Sequence, residues 1–145
     1  MNQMAFQSQA QPVAPLLGGA VQWGYVVRDL EAAMRHWTEV LKVGPFIAIA
    51  DFGKTEARYK GKPTDVKLIC AFSYVGDIQI ELIQQLNDAP SPYMDFLAAG
   101  REGLQHHGFW VEDHEGTRVK LEAFREDQPR GGLTGRTALS GDEPR

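Results

Sequence analysis

Three side chains in this sequence have the chemistry of metal ligands, and strand alternation aims at least one of them away from an apolar layer. They are the amide of Gln22, the carboxylate of Glu81 and the imidazole of His106. In Ile78-Gln79-Ile80-Glu81-Leu82-Ile83, a period of two puts Ile78, Ile80 and Leu82 on one face and Gln79, Glu81 and Ile83 on the other. A carboxylate in so apolar a strand is costly to bury, and a metal or an Arg must offset it. Gln22 and His106 are linked by an internal echo. Gln22-Trp23-Gly24-Tyr25-Val26-Val27-Arg28-Asp29 lines up with His106-His107-Gly108-Phe109-Trp110-Val111-Glu112-Asp113, so glycine, aromatic, Val and Asp recur in register and each copy leads into a helix. If the two strands lie side by side, both polar side chains enter one space, and the glycines two residues on leave room beside them. An amide, a carboxylate and an imidazole form an N/O donor set suited to a divalent ion: zinc, nickel, cobalt, manganese or iron. With one anionic ligand the site keeps net positive charge. It would polarise a carbonyl and stabilise the charge that develops when the neighbouring carbon loses a proton.

Those residues need strands and helices to hold them. Ala20 to Val27 alternates as a strand, and Asp29 sits at an N-cap position before a helix running to Leu41, with Leu30, Met34, Trp37 and Leu41 as its apolar stripe. Gly44-Pro45 is expected to stop it. Phe46 to Phe52 reads as a strand, Gly53 to Pro63 as a polar loop, and Asp65 to Val75 as a long strand with Val66, Leu68, Cys70, Phe72 and Tyr74 on one face. Gly76-Asp77 signals a hairpin into the Glu81 strand. Pro92 to Ala99 reads as a short helix ended by Gly100, His106 to Val111 as a strand, and Asp113 to Phe124 as a weaker helix. The Gln-, Ala- and Pro-rich start and the Arg-, Gly- and Asp-rich end show no period.

Composition narrows the function classes. The chain has 145 residues, enough for one domain or two small modules sharing a core. A net charge of −4 argues against a nucleic-acid partner, which calls for a basic face. No apolar run approaches the ~18 residues of a membrane span. The single cysteine excludes both an internal disulfide and a cysteine-rich zinc site. No signal-peptide pattern opens the chain, so a cytoplasmic setting is expected.

Plainer roles compete for the same residues. A strand Gln such as Gln22 can simply face a polar cleft. His107 lies on the face opposite His106, and His36 and His114 are expected at the surface. Cys70, between Leu68 and Phe72, is expected in the core. The mixed Arg and Glu residues after 115 read as a solvated face.

Taken together, three segments resemble the vicinal oxygen chelate superfamily, which includes glyoxalase I, methylmalonyl-CoA epimerase, extradiol dioxygenases and bleomycin-resistance proteins. They are Gln22 to Ala33, Ile78 to Ile83, and Gly103-Leu104-Gln105-His106-His107-Gly108-Phe109, within residues 19–124. The likeness is greatest to the glyoxalase-like and epimerase-like branch. The resemblance implies an α+β fold of paired βαβββ modules forming a half-open curved sheet around one metal. It places Gln22, Glu81 and His106 at ligand positions, with Glu81 also a catalytic residue, and puts Asp65 near a position where the epimerases carry a proton-transfer base. The implied activity is that of a metal-dependent lyase, isomerase or epimerase acting on a small oxygenated substrate or thioester. The alternative is a binding protein of the same fold, its sheet lined by Trp23, Tyr25, Phe109 or Trp110, or a degenerate member. Residues 1–18 are then a tail, 19–102 a first module, 103–126 the start of a second, and 127–145 an irregular or truncated segment. The last strand of the second module, which should supply another Glu, is missing from this pattern, and a homodimer is one way to complete the site.

Overall fold

The computed structural model describes residues 14–50 and 57–127. They fall into two units, 20–109 and the flanking segments. In the larger unit, β1 (Ala20–Val26) leads into α2 (Leu30–Glu39), the short helix α1 (Ala14–Leu17) having preceded it in the chain. There follow β2 (Ile47–Ala50), β3 (Ala57–Tyr59), β4 (Lys62–Thr64), β5 (Leu68–Val75), β6 (Ile78–Gln85), α3 (Pro92–Ala98) and β7 (Gly103–Phe109). The flanking unit holds α1 and α4 (His114–Asp127).

Five strands make one open sheet in the order β2-β5-β6-β1-β7, and β3 pairs with β4 separately. β1 runs parallel to β6 and antiparallel to β7. β1, α2, β2, β5 and β6 follow one another in the βαβββ order that the resemblance implied, with the β3–β4 hairpin between β2 and β5. The fold is α+β, as the resemblance implied.

Alternation divides the sheet into two chemically different faces. On one, Ala71, Ile80 and Leu82 are buried with Val27 and Leu30, and α2 covers them with Ala33, Met34 and Trp37. Trp23 and Tyr25 pack into this core, Tyr25 edge-on to Trp37 with centroids 5.0 Å apart. The other face carries Gln22, Gly24, Gln79, Glu81, Cys70 and Phe72. Asp29 caps α2 by accepting from the Ala32 N–H at 2.9 Å. The Leu30 N–H donates to Gln84 of β6 at 2.8 Å, which ties the helix start to the sheet.

Several boundaries differ from the sequence reading. α2 ends at Glu39, and Leu41 is 48% exposed, so the apolar stripe closes at Trp37. The chain leaves the helix through Lys42 at φ 59°, two residues before Gly44-Pro45. β5 begins at Leu68 rather than Asp65, and β7 spans Gly103–Phe109 rather than His106 to Val111. The expected loop at Gly53 to Pro63 contains the β3–β4 hairpin, turned by Lys60 and Gly61, both at positive φ. Part of that loop, and the terminal segments 1–13 and 128–145, lie outside the described residues.

Candidate metal centre

The site is built around Gly24, in the middle of β1. In the ladder, Gly24 has Glu81 of β6 on one side and His106 of β7 on the other. With no side chain between them, the two approach across the strand, His106 Nε2 standing 3.6 Å from Glu81 Oε2. The imidazole lies over the glycine: a Cβ there would fall 2.0 Å from His106 Cε1. Gln22, one pleat along the same face, faces Gly108, where a Cβ would meet Gln22 Oε1 at 2.8 Å. The echo therefore acts crosswise. Because β1 and β7 are antiparallel, each copy's ligand candidate lies over the other copy's glycine. The glycines do leave room, as expected, and the partner strand uses it.

Neighbouring amides hold the two nitrogen-bearing side chains. Gln22 donates its amide N–H to Gln79 Oε1 at 2.8 Å, and Gln79 donates to the Tyr74 hydroxyl at 2.9 Å. That leaves Gln22 Oε1 as the donor atom for an ion. His106 Nδ1 is 2.7 Å from Gln105 Oε1. An oxygen there accepts the Nδ1–H, and in the neutral ring this leaves the lone pair on Nε2, the nitrogen turned toward the Glu81 carboxylate.

Glu81 is 7% exposed, with Cys70 of β5 and Tyr93 of α3 beside it. Burial, followed by the Glu81 charge, pushes the Cys70 thiol up to about 12. Burial, then the charges of Glu81 and Cys70, pushes the Tyr93 hydroxyl up to about 12. Both stay protonated at neutral pH and add no second anion to the site. α3 is placed for this by Ser91, which caps it at Met94 N–H (3.0 Å) and donates to Gln85 of β6. Arg28 also reaches the Leu97 carbonyl at 3.1 Å.

An imidazole nitrogen turned toward a buried carboxylate is an arrangement that either a ring proton or a bound cation can satisfy. Two donors on one ion at about 2.1 Å and near-tetrahedral angles stand about 3.4 Å apart, close to the observed gap. Among the described residues no group of three or more His, Cys, Asp or Glu side chains clusters for a metal, so a three-residue protein site on this face would need the amide of Gln22 as well. The structure brings Glu81 and His106 together and puts Gln22 on their face. Asp65 is not brought in: it is exposed, and its carbonyl accepts from Asn87 at 2.6 Å, past the end of β6. Cys70 is buried as expected, and it lies on the Glu81 face of the sheet. Trp23 and Tyr25 point into the α2-covered core, so they do not line the site. Cys70's role beside Glu81, Tyr93 and Gln105 escaped the sequence reading, because only strand register and helix placement bring them in.

A family model described as the glyoxalase/bleomycin resistance protein/dioxygenase superfamily matches residues 21–129. The chain belongs to this superfamily. Solved structures share the fold. The hypothetical protein BH1468 from Bacillus halodurans C-125 superposes with a TM-score of 0.56 at 19% identity, over 72% of this chain and 67% of that one. Methylmalonyl-CoA epimerase from Mycobacterium tuberculosis gives 0.55 at 18% identity, over 74% and 65%. The Streptomyces coelicolor methylmalonyl-CoA epimerase in complex with 2-nitronate-propionyl-CoA gives 0.50 at 16%, over 82% and 83%. The chain spans about two thirds of the first two structures. At these identities the superfamily likeness is one of fold. No curated protein matches the chain. No helix among the described residues is long and apolar enough to cross a membrane.

Proposed function

We propose that Glu81, His106 and Gln22 hold one divalent metal ion, and that the protein is a metal-dependent isomerase, epimerase or lyase of the glyoxalase type. Its substrate in this reading is a small oxygenated compound or thioester with an acidic C–H beside a carbonyl. The observation that carries the reading is the Glu81–His106 pair, 3.6 Å apart over a glycine, with Nε2 turned toward the carboxylate and Nδ1 engaged by Gln105. When bound, such an ion acts as a Lewis acid on the substrate carbonyl.

The chain's own residues supply the rest. Gln22 and His106 are neutral donors and Glu81 is the one anion, so the site retains positive charge for an anionic substrate oxygen. The protonated Cys70 and Tyr93 beside Glu81 keep that balance by adding no charge. Glu81, beside His106 and buried, takes the substrate C–H proton in this reading. Asp65 enters only through the superfamily resemblance. Substrate choice is guided by the epimerase neighbours, whose names specify a CoA thioester. A homodimer completing the sheet belongs to the same reading, since β7 ends the strand order.

The test is deuterium exchange at the α-carbon of a methylmalonyl thioester, and of a hemithioacetal, in D2O with added zinc or nickel, followed by proton NMR. Exchange is expected with the native protein and expected to fall at least a hundredfold in Glu81→Gln, in line with about 10²–10⁴-fold for loss of a general base. Undiminished exchange in Glu81→Gln would overturn the assignment. Asp65→Asn, run alongside, decides whether the second carboxylate takes part.

A further inference from the structure

The ladder between β1 and β7 is irregular at two places. Ala20 pairs with Phe109 and Gln22 with Gly108, so Val21 is an extra residue on β1. Gly24 pairs with His106 and Tyr25 with Leu104, so Gln105 is an extra residue on β7. These are β-bulges, and under the echo alignment they are equivalent: each immediately precedes a ligand candidate. In a regular strand Gln105 and His106 would point to opposite faces. A bulge breaks that alternation and re-aims a side chain. Here it lets the Gln105 amide reach around to His106 Nδ1 at 2.7 Å. The first copy has the apolar Val21 at this position, and its ligand candidate Gln22 is oriented from the next strand by Gln79 at 2.8 Å.

We infer that Gln105 is a positioning residue that fixes His106 as its Nδ1–H tautomer, through a bulge that exists in both copies and carries a polar side chain in one. The inference rests on the metal-site reading for its purpose, though the tautomer itself is a property of the metal-free protein. With Gln105 Oε1 accepting from Nδ1, the neutral ring leaves Nε2 bare toward Glu81 Oε2, 3.6 Å away. The opposite amide orientation would put the ring proton on Nε2 and block the coordinating atom. An outer hydrogen bond of this kind both selects the ligating nitrogen and holds the ring plane.

Long-range proton–nitrogen correlation spectra of ¹⁵N-labelled, metal-free protein at about pH 8.5, where an ordinary imidazole is neutral, read the tautomer directly, with His106→Ala assigning the signals. The native protein is expected to carry the proton on Nδ1. Gln105→Leu, which has no acceptor, is expected to shift His106 toward the Nε2–H form. Gln105→Glu, which keeps an oxygen at that place, is expected to retain Nδ1–H. Zinc affinity should fall about 10–100-fold in Gln105→Leu and recover in Gln105→Glu. A native His106 protonated on Nε2 would overturn the inference, as would a Gln105→Leu spectrum identical to the native one. If the native protein shows the Nδ1–H tautomer and binds no zinc, the metal reading fails and the tautomer assignment stands.

Discussion

Gly24 is the residue on which the site turns, because its missing side chain is what lets His106 reach Glu81. In Gly24→Ala the new Cβ would sit 2.0 Å from Cε1 and 2.3 Å from Nε2 of His106, so the ring must leave its place. Overpacking of this kind costs about 1–3 kcal/mol. The expected result is that loss in denaturant unfolding together with a more than tenfold loss of zinc affinity by calorimetric titration. Native-like zinc binding in Gly24→Ala would show that His106 does not depend on this space. A second prediction concerns pH. Cys70, raised from 9.0 to about 12, and Tyr93, raised from 10.0 to about 12, hold their protons more tightly folded than unfolded, in both cases mainly through burial. The unfolded chain gives up those protons first. Stability from these groups is therefore full below about pH 9 and is lost as pH climbs through 9–12, each group contributing a slope of at most about 1.4 kcal/mol per pH unit. Unfolding free energies of the metal-free protein across that range should fall less steeply in Cys70→Ala than in the native chain. Equal slopes would remove Cys70 from the explanation.

Among the elements, α2 shows most plainly what the sequence could convey. Its N-cap, start and the Leu30, Met34 and Trp37 stripe are local features, and the structure has each of them. The end of the helix was read from Gly44-Pro45, whereas the chain turns out of helical geometry at Lys42, a residue type that gives no warning of positive φ. The stripe thus stops short of Leu41. Leu30→Ala should cost about 2–5 kcal/mol as a core truncation. Leu41→Ala, at 48% exposure, should stay within about 0.5 kcal/mol. Comparable losses from the two in urea unfolding would contradict the helix end described here. Strand faces were equally legible, since parity needs only the period: Ile80 and Leu82 are in the core, and Gln79 and Glu81 are opposite. Parity does not give strand direction or register. The echo aligned Gln22 with His106, but only the antiparallel pairing showed that each lies over the other's glycine. The β3–β4 hairpin was missed because its turn pairs Lys60 with a single glycine and Pro63 sits in one strand, two features that read as loop.

At the scale of the molecule, three adjacent strands bring the site together: β6, β1 and β7. Glu81 and Gly24 meet through a parallel pairing that the chain makes only after α2, β2 and β5 have intervened. An ion bound by Glu81 and His106 would consequently stabilise the folded sheet as a whole. Free zinc at one hundred times its dissociation constant should add about 2.7 kcal/mol to unfolding free energy. That increment should vanish in His106→Ala. Whether Glu81 and His106 share one divalent ion with Gln22 is decided by titration calorimetry of the metal-free protein with zinc, repeated with nickel. One ion per chain is predicted for the native protein, with binding abolished in His106→Ala and Glu81→Gln and weakened in Gln22→Leu. Stoichiometric binding that persists unchanged in both His106→Ala and Glu81→Gln, or no binding by the native chain, would contradict it.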